Sequence, residues 1–141
     1  TAAACDGCLY VCGGWIGGSI EKSVSSVERL VLTATDSGAK GAWESIPPMA
    51  EGRASFQMVA IGGRLFVCGG QEAFGAFPKD SVECCCVCKV AGECTWNYLP
   101  PMLTARCSHG AAKVSSKLFV VAGLGKQGDV FLPLNSMESF D

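Results

Sequence analysis

The chain is predicted to be all-β, built from repeated units of four short antiparallel strands, and three observations carry that prediction. Leu9-Tyr10-Val11-Cys12-Gly13-Gly14 returns as Leu65-Phe66-Val67-Cys68-Gly69-Gly70 and, degraded, as Leu118-Phe119-Val120-Val121-Ala122-Gly123. Ser26-Val27-Glu28 recurs as Ser81-Val82-Glu83 and Ser136-Met137-Glu138, 55 positions on each time. Between those landmarks, Trp43, Pro47-Pro48-Met49 and Arg53 reappear as Trp96, Pro100-Pro101-Met102 and Arg106, every member displaced by 53. Independent landmarks sharing one period mark a repeat architecture. Within each unit, short apolar segments are divided by Gly, Pro, Ser and Asp, the pattern of short strands, and almost nothing carries a helical period.

The second unit shows the elements most clearly. Its first strand is expected near Ala54–Ile61 and its second near Arg64–Cys68, joined by a tight turn at Gly62-Gly63, where positive φ is free for glycine. The third strand covers about Ser81–Val87. The fourth covers about Thr95–Leu99 and is closed by Pro100-Pro101, which cannot donate to a ladder. Extending that frame divides the chain into units at about 1–50, 51–103 and 104–141. The first opens inside a first strand, because Thr1 aligns with Gln57, and the last stops in its third strand.

Composition excludes several classes. Of 141 residues, 49% are apolar and only 17% charged, which argues against intrinsic disorder. The net charge of −2 comes from scattered Lys and Arg, with no basic stripe to neutralise phosphates, so nucleic acid is not expected as a partner. The longest charge-free stretch, Gly7 to Ile20, is too short for a spanning helix, so no membrane association is expected. Thr1-Ala2-Ala3-Ala4 offers no leader, and the sequence is expected to be cut from something longer.

The Gly doublet ending the second strand, the Ser-Val-Glu third strand, the Trp of the fourth and Pro-Met-x-x-x-Arg leading onward resemble the kelch repeat. That resemblance implies a β-propeller in which each repeat is one four-stranded blade, here a partial propeller of about three blades. It implies that Gly13, Gly14, Gly69 and Gly70 sit where a side chain would collide with neighbouring backbone, and that Trp43 and Trp96 fill the wedge between radiating sheets. Propellers typically close with four to eight blades. Two resolutions follow: the chain is a piece of a longer propeller, or two copies close a six-bladed ring with cyclic symmetry. The aromatic often found after the Ser-Val-Glu position is Leu30, Cys85 and Phe140 in the three units, so inter-sheet packing is expected to vary.

The ten cysteines do not read as a disulfide scaffold, because Cys12 and Cys68 share a position with Val121, and Cys5 shares one with Ile61 and Val114. They are expected to fill small apolar slots as free thiols in a reducing compartment, cytoplasmic or nuclear. Cys5-x-x-Cys8 and Cys85-x-x-Cys88 offer metal-like spacing, but the other copies of the first turn carry no ligands, and no metal is expected. Cys94 and Cys107 are expected near loop ends, partly exposed, where a redox-sensitive thiol is conceivable. His109, the single histidine, is expected as a polar residue at the rim of a first strand, and Tyr10 and Tyr98 as core. No catalytic machinery and no cofactor site is read.

Arg53 and Arg106 lie in connections from a fourth strand to the next first strand, which emerge on the same face as the second-to-third-strand loops. In the adaptor-type kelch proteins that this chain resembles, whose propellers select substrates for cullin-based ubiquitin ligases, that rim binds peptide segments of partners. The resemblance thus implies a protein or peptide partner, with the two guanidinium groups able to grip carboxylates; the alternative is that each Arg holds its own loop on backbone carbonyls. The second-to-third-strand loops place Trp15, Phe74, Phe77 and Phe131 on the same face, an aromatic composition typical of interface hot spots, unless those rings fold back over their own blades. A structural role in self-association or cytoskeletal contact is the second reading.

Overall fold

In a computed structural model, residues 1–16, 22–35, 38–87 and 94–140 are described. They form thirteen strands in chain order: β1 (Ala2–Cys5), β2 (Cys8–Trp15), β3 (Ser23–Thr35), β4 (Gly38–Ile46), β5 (Gln57–Ile61), β6 (Arg64–Cys68), β7 (Val82–Cys86), β8 (Trp96–Leu99), β9 (Gly110–Val114), β10 (Lys117–Val121), β11 (Leu124–Gln127), β12 (Val130–Pro133) and β13 (Met137–Phe140). No helix occurs among the described residues. Two four-stranded antiparallel meanders, β1-β2-β3-β4 and β5-β6-β7-β8, are followed by a three-stranded sheet ordered β13-β10-β9. The two four-stranded meanders match the expected four-stranded unit, the third sheet has three strands among the described residues, and the sheets do not close on themselves.

The second blade forms where expected, with its first strand shorter than read. Ala54 leaves that strand and pairs instead with Gln71, in a two-way bridge at 2.9 Å each way that staples the entering loop to the loop after β6. Gly62 and Gly63 take φ of +56° and +73° in the β5–β6 turn, the left-handed pair that a two-residue hairpin requires. The third blade departs from expectation. Its second-to-third-strand connection is not an open loop but the hairpin β11–β12, tied back where Leu124 and Cys107 exchange backbone hydrogen bonds at 2.8 and 3.0 Å.

The three first strands lie side by side, with β1 touching β5 and β5 touching β9, as innermost strands around a common axis must. The core lies between blades more than within them. One cluster joins Tyr10, Cys12, Val27, Ile46 and Met49 of the first blade to Phe56, Met58, Leu65, Val67 and Cys85 of the second. Another joins Cys68, Val82 and Met102 to Val120. Cys12 and Cys68 are fully buried, as apolar slot-fillers should be.

Three of the four motif glycines sit under neighbouring backbone. A Cβ on Gly13 would lie 2.6 Å from the Arg53 carbonyl oxygen, one on Gly70 would lie 2.6 Å from that of Ala54, and one on Gly69 would strike that of Arg106. Gly14 is a correction: nothing lies within 4 Å of its Cβ direction, and its φ of +116° is what demands glycine. The tryptophans also divide. Trp96 packs on the inter-blade core and donates Nε1–H to the Pro47 carbonyl at 3.0 Å, filling the wedge against the first blade. Trp43, expected as core, is 53% exposed on β4, the outer edge strand of the first sheet. Tyr10 is buried, but Tyr98 is exposed, its hydroxyl donating to Glu51 at 2.8 Å.

Candidate functional site on the loop face

Arg53 and Arg106 are fully buried. Arg53 donates to the Gly69 carbonyl at 2.8 Å and to the Ser81 hydroxyl at 3.1 Å, and forms an ion pair with Glu83 at 2.5 Å. Arg106 repeats this with the Ala122 carbonyl at 2.9 Å, the Ser136 hydroxyl at 3.1 Å and Glu138 at 2.7 Å. The recurrent Ser and Glu of the third strand are therefore the receptors for the recurrent Arg. Each carboxylate also accepts backbone N–H groups of the loop carrying that Arg: Ala50 at 2.7 Å on Glu83, and Leu103 and Thr104 at 2.5 and 3.0 Å on Glu138. Burial alone would push the Glu138 carboxyl up, but the Leu103 N–H, the Arg106 guanidinium and the Thr104 N–H together hold it below the ordinary carboxylate range. Both guanidinium groups are engaged in holding loops, the second of the two roles read from the sequence.

The aromatic residues fare differently. Trp15 at the end of β2, Phe74 in the loop after β6 and Phe131 on β12 converge around one cavity of about 310 Å³, each contributed by a different blade. Ser55, Gln71, Gly75, Cys107, Ser108 and Leu124 complete its lining. Ser55 and Ser108 hold φ of +54° and +50°, a left-handed conformation uncommon for serine that tends to gather at functional sites. They are joined by a 2.8 Å hydrogen bond from the Ser108 N–H to the Ser55 carbonyl. Gln71 is 6% exposed, and its Oε1 has no hydrogen-bond partner among the described residues.

Phe77 stands outside this cavity. It lines a second one of about 340 Å³ with Leu103, Leu132 and Leu134. Lys126 links the two, donating to the Gly75 carbonyl at 2.6 Å with its ammonium 4.5 Å from the Phe77 ring centre and 5.4 Å from that of Phe131. Phe74 and Phe77 are 67% and 63% exposed, so the rings do not fold back over their own blades. In the first blade, 17–21 of the corresponding loop lie outside the described residues.

His109 is not at a rim. It is buried in the slot that Phe56 occupies one unit earlier, with Nε2 3.5 Å from Cys68 Sγ and Nδ1 without a partner among the described residues. Burial, reinforced by Arg106, lowers its pKa to about 4, while burial pushes the Cys68 thiol up to about 12. Imidazole and thiol are both neutral, the reverse of an activated nucleophile and base. Cys94 and Cys107, expected partly exposed, are both buried, and burial raises the Cys107 thiol pKa. Cys88 lies outside the described residues. Sequence reasoning missed Gln71 and the two serines; the Ser-Phe and Ser-His pairs following the Arg repeats were the available signal.

Comparison with known proteins bears on this geometry. A family profile described as Kelch motif matches residues 1–50. Kelch-like protein 33 of Homo sapiens is 32% identical over 133 residues, 89% of this chain and 21% of that protein. Kelch repeat protein C2 of Vaccinia virus (strain Western Reserve) is 25% identical over 134 residues, 94% of this chain and 23% of the relative. An Arabidopsis thaliana F-box/kelch-repeat protein, At2g29830, is 32% identical over 83 residues, 59% of this chain and 20% of its own length. The chain thus spans about a fifth of the length of these curated relatives.

Proposed function

Because the chain belongs to the kelch-repeat family, we propose that it is a protein-interaction module whose loop face binds a peptide or protein partner. The observation carrying this is the convergence of Trp15, Phe74 and Phe131, from three blades, on one apolar cavity. Isolated apolar side chains are normal on surfaces, whereas contiguous apolar patches mark interaction sites. Phe77, Leu103 and Leu132 extend the patch. Arg53 and Arg106 contribute by fixing the loops that frame it.

The finer reading is a substrate-selecting adaptor of a ubiquitin ligase in the cytoplasm or nucleus. The Kelch-like and F-box/kelch-repeat names among the relatives support it by likeness, and the nine free cysteines among the described residues suit a reducing compartment. Phe74→Ala combined with Phe131→Ala is expected to abolish capture of a partner identified with the parent chain while leaving the circular dichroism spectrum unchanged. Equal capture by parent and variant would move the binding site elsewhere. For the adaptor reading, the full-length protein is expected to co-purify with a cullin.

A self-assembly reading is favoured by a separate observation. Trp43 and Leu32 of the first blade and Met137 and Val121 of the third are exposed apolar residues on the two outermost blades, which a twofold pairing of chains would cover.

A further inference from the structure

We propose that the face of the first blade turned away from the second is a further docking surface, separate from the loop face. Its occupant is a partner segment carrying a proline and, six residues on, an arginine, held as 47–53 is held by the second blade. Register is the starting point. Glu28 stands opposite Val11 as Glu83 stands opposite Val67 and Glu138 opposite Val120, and Trp43 pairs with Leu30 as Trp96 pairs with Cys85. Cross-strand partners, and residues two apart on a strand, share one face of a sheet, so Ser26, Glu28, Leu30 and Trp43 lie together. The opposite face of β3, with Val27, packs on the second blade.

In the second blade the same constellation is filled. Trp96 donates to the Pro47 carbonyl, Glu83 accepts the Ala50 N–H, and the Arg53 guanidinium spans the Gly69 carbonyl, the Ser81 hydroxyl and Glu83. The third blade repeats the polar part, with Leu103, Thr104 and Arg106 on Ser136 and Glu138. In the first blade, Ser26 and Glu28 are exposed and Trp43 is half-exposed, and none of the three side chains has a hydrogen-bond partner among the described residues. One receptor thus occurs three times, twice occupied.

The two filled copies define the occupant. Glu28 calls for a cation, and in both copies Nη1 and Nη2 of one guanidinium reach separate acceptors, a fork that a lysine ammonium does not match. An indole N–H is a donor only, so Trp43 takes a carbonyl, as Trp96 takes that of Pro47. Pro47 precedes Arg53 by six residues, and Pro100 precedes Arg106 by six. A second copy of this chain does not offer such a segment. Its Arg53 and Arg106 are fully buried in clamps of their own, and six residues before Arg29 and Arg64 stand Ser23 and Met58.

The test is fluorescence anisotropy of a labelled peptide with the sequence of 46–56, titrated with the 141-residue chain. Saturable binding is expected. Glu28→Gln in the chain, or Arg53→Lys in the peptide, should each weaken it about tenfold. Trp43→Phe, which keeps a ring but removes the donor, should weaken it about threefold. Phe74→Ala with Phe131→Ala should leave it unchanged, since those rings belong to the loop face. Absence of binding at about 1 mM, or equal binding by the parent and Glu28→Gln chains, would overturn the inference. So would light scattering that finds the parent at twice 14.6 kDa and Glu28→Gln at the single mass, because a second copy would then hold the face.

Discussion

The first and second blades carry the same motif residues in opposite surroundings. Glu83 is fully buried and clamped by Arg53, and Trp96 is packed and hydrogen-bonded to Pro47. Their first-blade counterparts, Glu28 and Trp43, are exposed. Nothing in the local sequence distinguishes the two blades at these positions. What differs is the loop that leads into the second blade: 47–56 reaches Glu83 through Ala50 and Arg53 and Trp96 through Pro47, whereas Glu28 and Trp43 stay exposed. A blade is therefore finished by the loop that leads into it.

The widest gap between the blades should appear at the clamp. Removing one partner of a buried ion pair leaves the other uncompensated, so Arg53→Ala or Glu83→Ala is expected to destabilise the chain by about 3–5 kcal/mol in urea unfolding. Glu28→Ala should leave the urea midpoint where it was. Equal effects at Glu28 and Glu83 would break the comparison.

Acid should reveal the next largest effect. The folded chain holds His109 neutral, with its pKa lowered from 6.5 to about 4, whereas the unfolded chain protonates it normally. Between those values the unfolded state binds more protons, so stability is retained above pH 6.5 and falls as pH drops towards 4, by up to about 3 kcal/mol. Glu138, held below the ordinary carboxylate range, adds a further loss at lower pH, as its folded form is titrated. His109→Phe, copying the Phe56 slot, should flatten the profile between pH 6.5 and 4 in thermal unfolding; an unchanged slope would place its origin elsewhere.

Trp96→Ala is expected to cost about 2 kcal/mol, less than for a fully enclosed tryptophan, and Trp43→Ala under about 1 kcal/mol. Light scattering sharpens this pair. If two chains close a ring, the mass becomes twice 14.6 kDa, Trp43 emission shifts to the blue on association, and Trp43→Ala weakens the dimer. A monomer at every concentration would leave Trp43 in water.

Much of this was legible beforehand. The four-stranded meander of the second unit could be read from its short apolar segments, and its hairpin from Gly62-Gly63, because those features depend on neighbours a few positions away. The converging aromatics were also legible, since topology places their loops on one face whatever their details. Which of the two roles the arginines take was not. A guanidinium in a loop looks available until the partner 30 residues on is found to be turned inward to meet it, and the matching recurrence of Arg with Ser-x-Glu was the overlooked clue. His109 escaped for a related reason: its burial depends on the slot beneath Gly69 and beside Cys68, which no local pattern reveals. Gly14 and Trp43 were misread by assuming that equal motif positions have equal surroundings.

The clamp has a bearing on how such proteins grow. Arg53 and Glu83 fall within one period, as do Arg106 and Glu138. Copying a stretch such as 51–103 therefore copies a bond donor together with its acceptor. A duplicated segment arrives with its own fastening already matched, and the ring can gain or lose members without any residue having to adapt to a stranger at that joint.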